Sequence, residues 1–198
     1  MNKYMFTKPL EMPRGRKYGS DYWIAYSSKL KRTVALYSML EYYYFLCLEM
    51  NPDVEYFCEQ PCKIEYDIDG KKHSSVFDFW VYYADNHSEF HEVKYSKELS
   101  GDTNKALRSQ NQIAHQKQWC MNNGCIYQVV TEKDIIVSEY YIENLKSLQH
   151  RVTRYNMNDY DFFLNSLREY ITNCNGIAYL GDIIKQGILC LLYTSDAA

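Results

Sequence analysis

Apolar and polar positions along the chain divide it into short elements separated by Gly, Pro, Asn and Asp. Residues 1–33, with Pro9, Pro13, Gly15 and Gly19, hold no sustained period and predict irregular structure. From Val34 to Met50, Leu36, Met39, Leu40, Tyr43, Tyr44 and Cys47 recur at helical spacing, and Asn51-Pro52 ends the helix. Val54 to Gln60 predicts a strand stopped by Pro61. Lys63 to Asp67 alternates, with Ile64, Tyr66 and Ile68 on one face, and Asp69-Gly70 is a hairpin signal. The partner strand runs from Lys72 towards Ala84, and Glu89 to Tyr95 is the next strand. Asn104 to Asn123 predicts a long polar helix closed by Gly124, and Cys125 to Thr131 a short buried strand. Helical patterns follow through Ser138 to Val152, over Tyr160 to Asn173 and from Ala178.

This succession is α+β: a mixed central sheet flanked by helices, then a truncated helical C-terminal segment. The expected organisation is a basic N-terminal arm over 1–33, a main domain over 34–152, the start of a helical domain over 153–190, and a foreign tail over 191–198. The tail is suspected because small residues follow the apolar run at Leu191-Leu192 abruptly.

With 198 residues, 46% hydrophobic and 24% charged, the chain is expected to bury a core. The 21 tyrosines fit an AT-rich coding bias as well as a DNA-contacting surface. The net charge of −3 argues against a general polyanion binder, but charge is unevenly spread. Residues 1–33 hold Lys3, Lys8, Arg14, Arg16, Lys17, Lys29, Lys31 and Arg32 against Glu11 and Asp21, leaving 14 basic and 23 acidic side chains elsewhere. Phosphate contacts and a solvated terminus are both open readings of that arm. Seven cysteines without a signal peptide predict reduced thiols in a prokaryotic cytosol or nucleoid. Cys58-x3-Cys62 with Cys120-x4-Cys125 is loosely spaced for zinc, so structural cysteines are expected. No apolar run is long enough for a membrane span.

The candidate chemistry lies in Val76-Phe77-Asp78-Phe79-Trp80-Val81 and His91-Glu92-Val93-Lys94-Tyr95. A buried carboxylate needs a cation, a metal or several donors. Strand alternation puts Glu92 and Lys94 on one side, with His91 on the other. Asp78 lies on an apolar, hence central, strand that can bring it to Glu92. Two close carboxylates call for a cation, and Mg²⁺ (or Mn²⁺) suits oxygen ligands. The expected ligands are Asp78, Glu92, the Val93 carbonyl and Glu41, with Lys94 orienting water and stabilising charge on phosphate, and Gln60 in support. The competing reading is an Asp78–Lys94 ion pair with Glu92 exposed. Asp67-x-Asp69-Gly70 resembles half a calcium loop but lacks the later ligands, and the five histidines show no ligand spacing.

Asp78-x13-Glu92-x-Lys94 resembles the core signature of the PD-(D/E)xK nucleases. Several further segments, in order over about residues 30 to 135, resemble TnsA, the endonuclease subunit of heteromeric transposases: Ser38-Met39-Leu40-Glu41, Asn51-Pro52-Asp53-Val54, Glu59-Gln60-Pro61, Asp69-Gly70-Lys71, Phe77-Asp78-Phe79, His91-Glu92-Val93-Lys94 and Val130-Thr131-Glu132. The resemblance implies a restriction-endonuclease-like fold over 34–152 and Mg²⁺-dependent cleavage at transposon 5′ ends. It also implies double-stranded DNA, a DDE transposase and an ATPase regulator as partners. Carried over by position, Glu41 is the helix acid, Asp78 the strand acid, Glu92 the third metal-site position and Lys94 the catalytic lysine. Residues 160–186 would begin a winged-helix domain. Phe77 stands where the superfamily signature has Pro. A restriction or repair nuclease of the same fold and a non-catalytic DNA-binding assembly subunit are the alternatives.

Overall fold

A computed structural model describes residues 3–12, 21–68, 70–154, 157–176, 179 and 182. The chain divides into two compact units, Met1–Thr153 and Arg154–Ala198.

In the first unit, β1 (Trp23–Ser27) and β2 (Arg32–Leu36) form an antiparallel hairpin, with Lys31 in the left-handed region at φ 55°. This corrects two expectations, the irregular stretch to residue 33 and a helix starting at Val34. Val34 and Leu36 are wholly buried on one face of β2, and that two-residue period was read as part of the helix. Helix α1 (Met39–Met50) starts at the N-cap Ser38, whose hydroxyl accepts from the Glu41 N–H at 3.1 Å. Its far end is closed by Lys29, whose ammonium donates to the carbonyls of Leu48 (2.9 Å), Val54 (2.6 Å) and Asn51. Burial pulls the Lys29 pKa down to about 8.

The main sheet has the order β3 (Val54–Glu59), β6 (Phe79–Tyr83), β7 (Ser88–Val93), β8 (Ile126–Val130). The first three pair antiparallel, and β7–β8 is parallel because helix α2 (Asn104–Asn122) makes the crossover between them. The sheet is therefore mixed and helix-flanked, as expected. Strand β6 is buried on both faces: Phe79 and Val81 pack towards α1 with Phe45 and Phe57, and Trp80 packs with Phe77, Phe90 and Cys120 beneath α2. Strand β8 is an edge rather than a buried strand, and Ile126 is 49% exposed. Short α3 (Glu132–Ile135) and α4 (Tyr141–Arg154) follow, with Ile135, Ile142 and Leu145 in the α1-side core.

Strands β4 (Lys63–Ile68) and β5 (Lys71–Val76) form a separate antiparallel hairpin, closed by a two-residue turn with Gly70 at φ 76°. That register makes the supposed half calcium loop a hairpin turn; Asp69 itself lies outside the described residues. The second unit contributes α5 (Met157–Asn173), and the helix expected from Ala178 falls outside the described residues. No described helix is long and apolar enough to cross a membrane.

Candidate active site

The expected strand from Lys72 to Ala84 is broken at Phe77-Asp78, which changes where Asp78 lies. Two segments bend together there. Strand β3 ends at Glu59 and is followed by Gln60, at φ 38°, and Pro61, and the opposing chain leaves the hairpin for the main sheet. The Gln60 N–H donates to the Asp78 carbonyl (2.9 Å) and the Phe77 N–H to the Cys62 carbonyl (3.3 Å). Asp78 thus sits at a junction rather than on a strand face. Its Oδ2 accepts the Val93 N–H at 2.7 Å, which ties it to the end of β7. Val93 was expected through its carbonyl; what the structure uses to hold Asp78 is its N–H.

Glu92 is fully buried, so the reading that left it exposed is corrected. Its Oε1 accepts from Lys94 Nζ (2.5 Å) and Gln112 Nε2 (2.6 Å), and its Oε2 accepts from Gln116 Nε2 (2.8 Å). Lys94 stands 4.0 Å from Asp78 Oδ2, so Glu92 is its nearer partner. Gln116 is itself wholly buried and gives its Nε2 to Ser75 Oγ (2.9 Å), while its Oε1 accepts from Tyr127 OH (2.7 Å). Gln112, Gln116, Ser75 and Tyr127 were not singled out from the sequence. The available signal was the helical period of α2, which puts a polar Gln116 in the stripe of Ala106, Ser109 and Cys120.

Glu41, in the first turn of α1, accepts the Tyr37 N–H on Oε2 (3.0 Å), which ties its carboxylate to the chain entering the helix. Gln60 is 4% exposed, and its side-chain Nε2 is buried with no hydrogen-bond partner. Glu41, Gln60, Asp78 and Lys94 all line one cavity of about 850 Å³, walled by the β4–β5 hairpin, α2, the start of α1 and residues 10–12.

The site holds more negative than positive charge. Burial pushes Glu41 up to about 8, reinforced by the Asp78 charge and opposed by the Tyr37 N–H. Burial likewise pushes Glu92 up to about 7, again reinforced by Asp78 and opposed by Lys94 and Gln116. Asp78 is raised by burial against the pull of Lys94 and the Val93 N–H. Burial alone would lower Lys94, but Asp78 and Glu92 outweigh it and keep it above its ordinary value. One ammonium among three carboxylates leaves a deficit that protons or a further cation must fill. Among the described residues, no three His, Cys, Asp or Glu side chains converge closely enough to hold a metal ion. The donor chemistry nonetheless fits Mg²⁺, which takes one or two carboxylates, water and substrate phosphate rather than an all-protein cage.

Other expectations resolve locally. His91 is on the face opposite Glu92, with Nδ1 2.5 Å from Tyr44 OH and Nε2 2.8 Å from Glu89. Cys58 and Cys120 are buried thiols that burial pushes up to about 12, the half-buried Cys62 rises to about 11, and none of them joins a metal-holding cluster among the described residues. Three of the arm's cations have structural work: Lys3 pairs with Glu55, Lys29 caps α1, and Arg32 holds Glu59 through 2.5 and 2.6 Å contacts. Arg14, Arg16 and Lys17 lie outside the described residues. Two described residues of the arm pack on the sheet, Tyr4 stacked on Tyr56 and Phe6 edge-on to Trp80.

Residues 51–132 match the family model of the TnsA-like endonuclease N-terminal domain. The matched segment contains Gln60, Asp78, Glu92, Lys94, Gln112 and Gln116, while Glu41 precedes it. No curated protein matches the chain.

Proposed function

We propose, from the match of residues 51–132 to the TnsA-like endonuclease model, that the chain is the Mg²⁺-dependent endonuclease subunit of a transposase, hydrolysing phosphodiester bonds at transposon 5′ ends. One observation carries this reading: a buried Glu92–Lys94 pair beside Asp78, opening on a cavity that Glu41 also lines. Asp78 and one Glu92 oxygen, with the Val93 carbonyl, would hold the ion, and Glu41 would complete its shell through a bound water. When bound, it would neutralise phosphate charge and make a bound water more acidic.

The protein's own groups divide the remaining work. Lys94 stays an ammonium at any working pH, because its carboxylate partners stabilise the charge. It therefore donates hydrogen bonds to a water or to the phosphate oxygens, and does not abstract a proton. Glu92 aims Lys94, and Gln112 and Gln116 aim Glu92. Gln60 lines the cavity beside Asp78 and is the proposed supporting residue there, its buried amide nitrogen being without a hydrogen-bond partner. Double-stranded DNA, a DDE transposase and an ATPase regulator are the proposed partners, in a prokaryotic cytosol or nucleoid.

The test is nicking of a labelled transposon-end duplex at the 5′ end, with the partner transposase and regulator present, in Mg²⁺ or Mn²⁺. The wild type should nick; Asp78→Ala and Lys94→Met should not. Nicking that survives in both refutes the proposal. The satisfied state of Glu92 favours a second reading, a non-catalytic assembly subunit. Calorimetry separates the two: Mn²⁺ binding with DNA present should be lost in Asp78→Ala and Glu92→Ala under the first reading only.

A further inference from the structure

Arg108 and Asn111 are two polar residues of α2 that line the same cavity. Neither has a role in holding Glu92. Between Asp102 and Glu132 the chain contains no acid, although it has 25 acids in 198 residues. That stretch holds Lys105, Arg108, Lys117 and His115, so α2 is basic on an otherwise acidic body. Lys105 is held by Glu98 at 2.7 Å, and across the cavity Lys63 is near Glu65 at 3.3 Å. Arg108 is exposed and meets no carboxylate among the described residues.

Helical geometry sets where this cation stands. Residues 108, 111, 112 and 115 fall on one face, and Arg108 is four residues, about 6 Å of rise, before Gln112. Gln112 touches Glu92, so Arg108 stands one turn away from the Glu92–Lys94 pair. At the other end of this face, His115 stacks on Tyr66 of the β4–β5 hairpin with ring centres 4.1 Å apart. Gln116 bonds Ser75 of the same hairpin at 2.9 Å. These contacts join the two cavity walls at the C-terminal half of α2. Arg108 and Asn111 line the cavity on the N-terminal side of these contacts.

We infer that Arg108, with Asn111 beside it, is a phosphate clamp. It holds the DNA-backbone phosphate next to the one presented to Lys94, and so sets which bond along the strand lies at the carboxylates. The inference rests on the endonuclease reading. The ligand class is a phosphodiester, met by a planar guanidinium suited to two phosphate oxygens at once. Such a contact positions the duplex and carries no base specificity.

The experiment is fluorescence anisotropy of a short labelled duplex of arbitrary sequence in EDTA, across a salt series, with the full chain. Arg108→Gln should bind about tenfold more weakly at low salt, and the slope of log K against log salt should shrink by about one phosphate contact. Arg108→Lys should keep the slope. Lys117→Gln is the control: Lys117 is exposed and nine residues on, about 180° around the helix, so its loss should leave the slope unchanged. An Arg108→Gln protein that keeps wild-type affinity and slope overturns the clamp and leaves the nuclease reading intact. Equal losses in Arg108→Gln and Lys117→Gln also overturn it, since only the general field of α2 would be at work. A wild-type protein with no salt-dependent duplex binding overturns the DNA reading together with the clamp.

Discussion

Removing Lys94 tests the electrostatics of the site without any DNA. In the wild type Glu92 is buried with its pKa raised from 4.5 to about 7, and Lys94 is among the groups that hold it from rising further. In Lys94→Met that restraint is gone, and only Gln112 and Gln116 still donate to the carboxylate. Below pH 7 Glu92 already carries a proton in the folded wild type, so losing the ammonium changes little through this group. Above pH 7 the wild-type carboxylate ionises, whereas the variant must either keep its proton or bury an unpaired charge. Keeping the proton costs about 1.4 kcal/mol more for each pH unit. The alternative, an uncompensated buried charge, costs about 3–5 kcal/mol and sets the ceiling. The sign follows from proton counting: the folded variant binds more protons than the unfolded chain over a wider window, so its stability falls with pH relative to wild type. Urea midpoints from pH 6 to pH 9 measure this. The stability gap should be small at pH 6, widen above pH 7 and then level off, and adding Glu92→Gln should flatten it. A gap of the same size at every pH, or one that narrows as pH rises, would refute the reasoning.

Metal-free wild-type protein should lose stability as pH rises from 4.5 to about 8, because the raised carboxyls of Glu92 and Glu41 bind more protons folded than unfolded. Mg²⁺ should restore part of that loss at pH 8 in thermal melts, and no metal effect there would count against a metal site beside Asp78 and Glu41. Asp78→Asn should lower nicking by about three orders of magnitude while keeping a near-native melt, as expected for a group that acts through metal and phosphate charge. Arg32→Met strands Glu59, which is 1% exposed, and should destabilise the protein by about 3–5 kcal/mol in urea. Adding Glu59→Met should recover most of that loss, and no recovery would show that the hairpin is held by something other than the ion pair.

Local periodicity made much of the frame legible from the sequence alone. The strands from Val54 and from Lys63, the turn closed by Gly70, the helix from Asn104 and the α+β class all follow from spacing between residues close in sequence. So did the same-side placement of Glu92 and Lys94, which needs only strand alternation and is realised as a 2.5 Å contact. The ambiguity lay where two periods agree: Val34 and Leu36 fit a strand and also extend the helix that follows, and only pairing with β1 made them β2. Asp78 is the clearest case of a tertiary decision. Phe77-Asp78-Phe79 reads as continuous strand, yet the chain breaks there because β3 turns at Gln60-Pro61 opposite it. The burial of Glu92 is another. Its donors come from positions 20 and 24 residues away, on a helix whose polar stripe has no meaning until it packs against the sheet. Spacing specified which residues could share a face, because the backbone repeat is local. Which faces met, and hence which charges lost water and which found donors, depended on long-range packing that no single segment encodes.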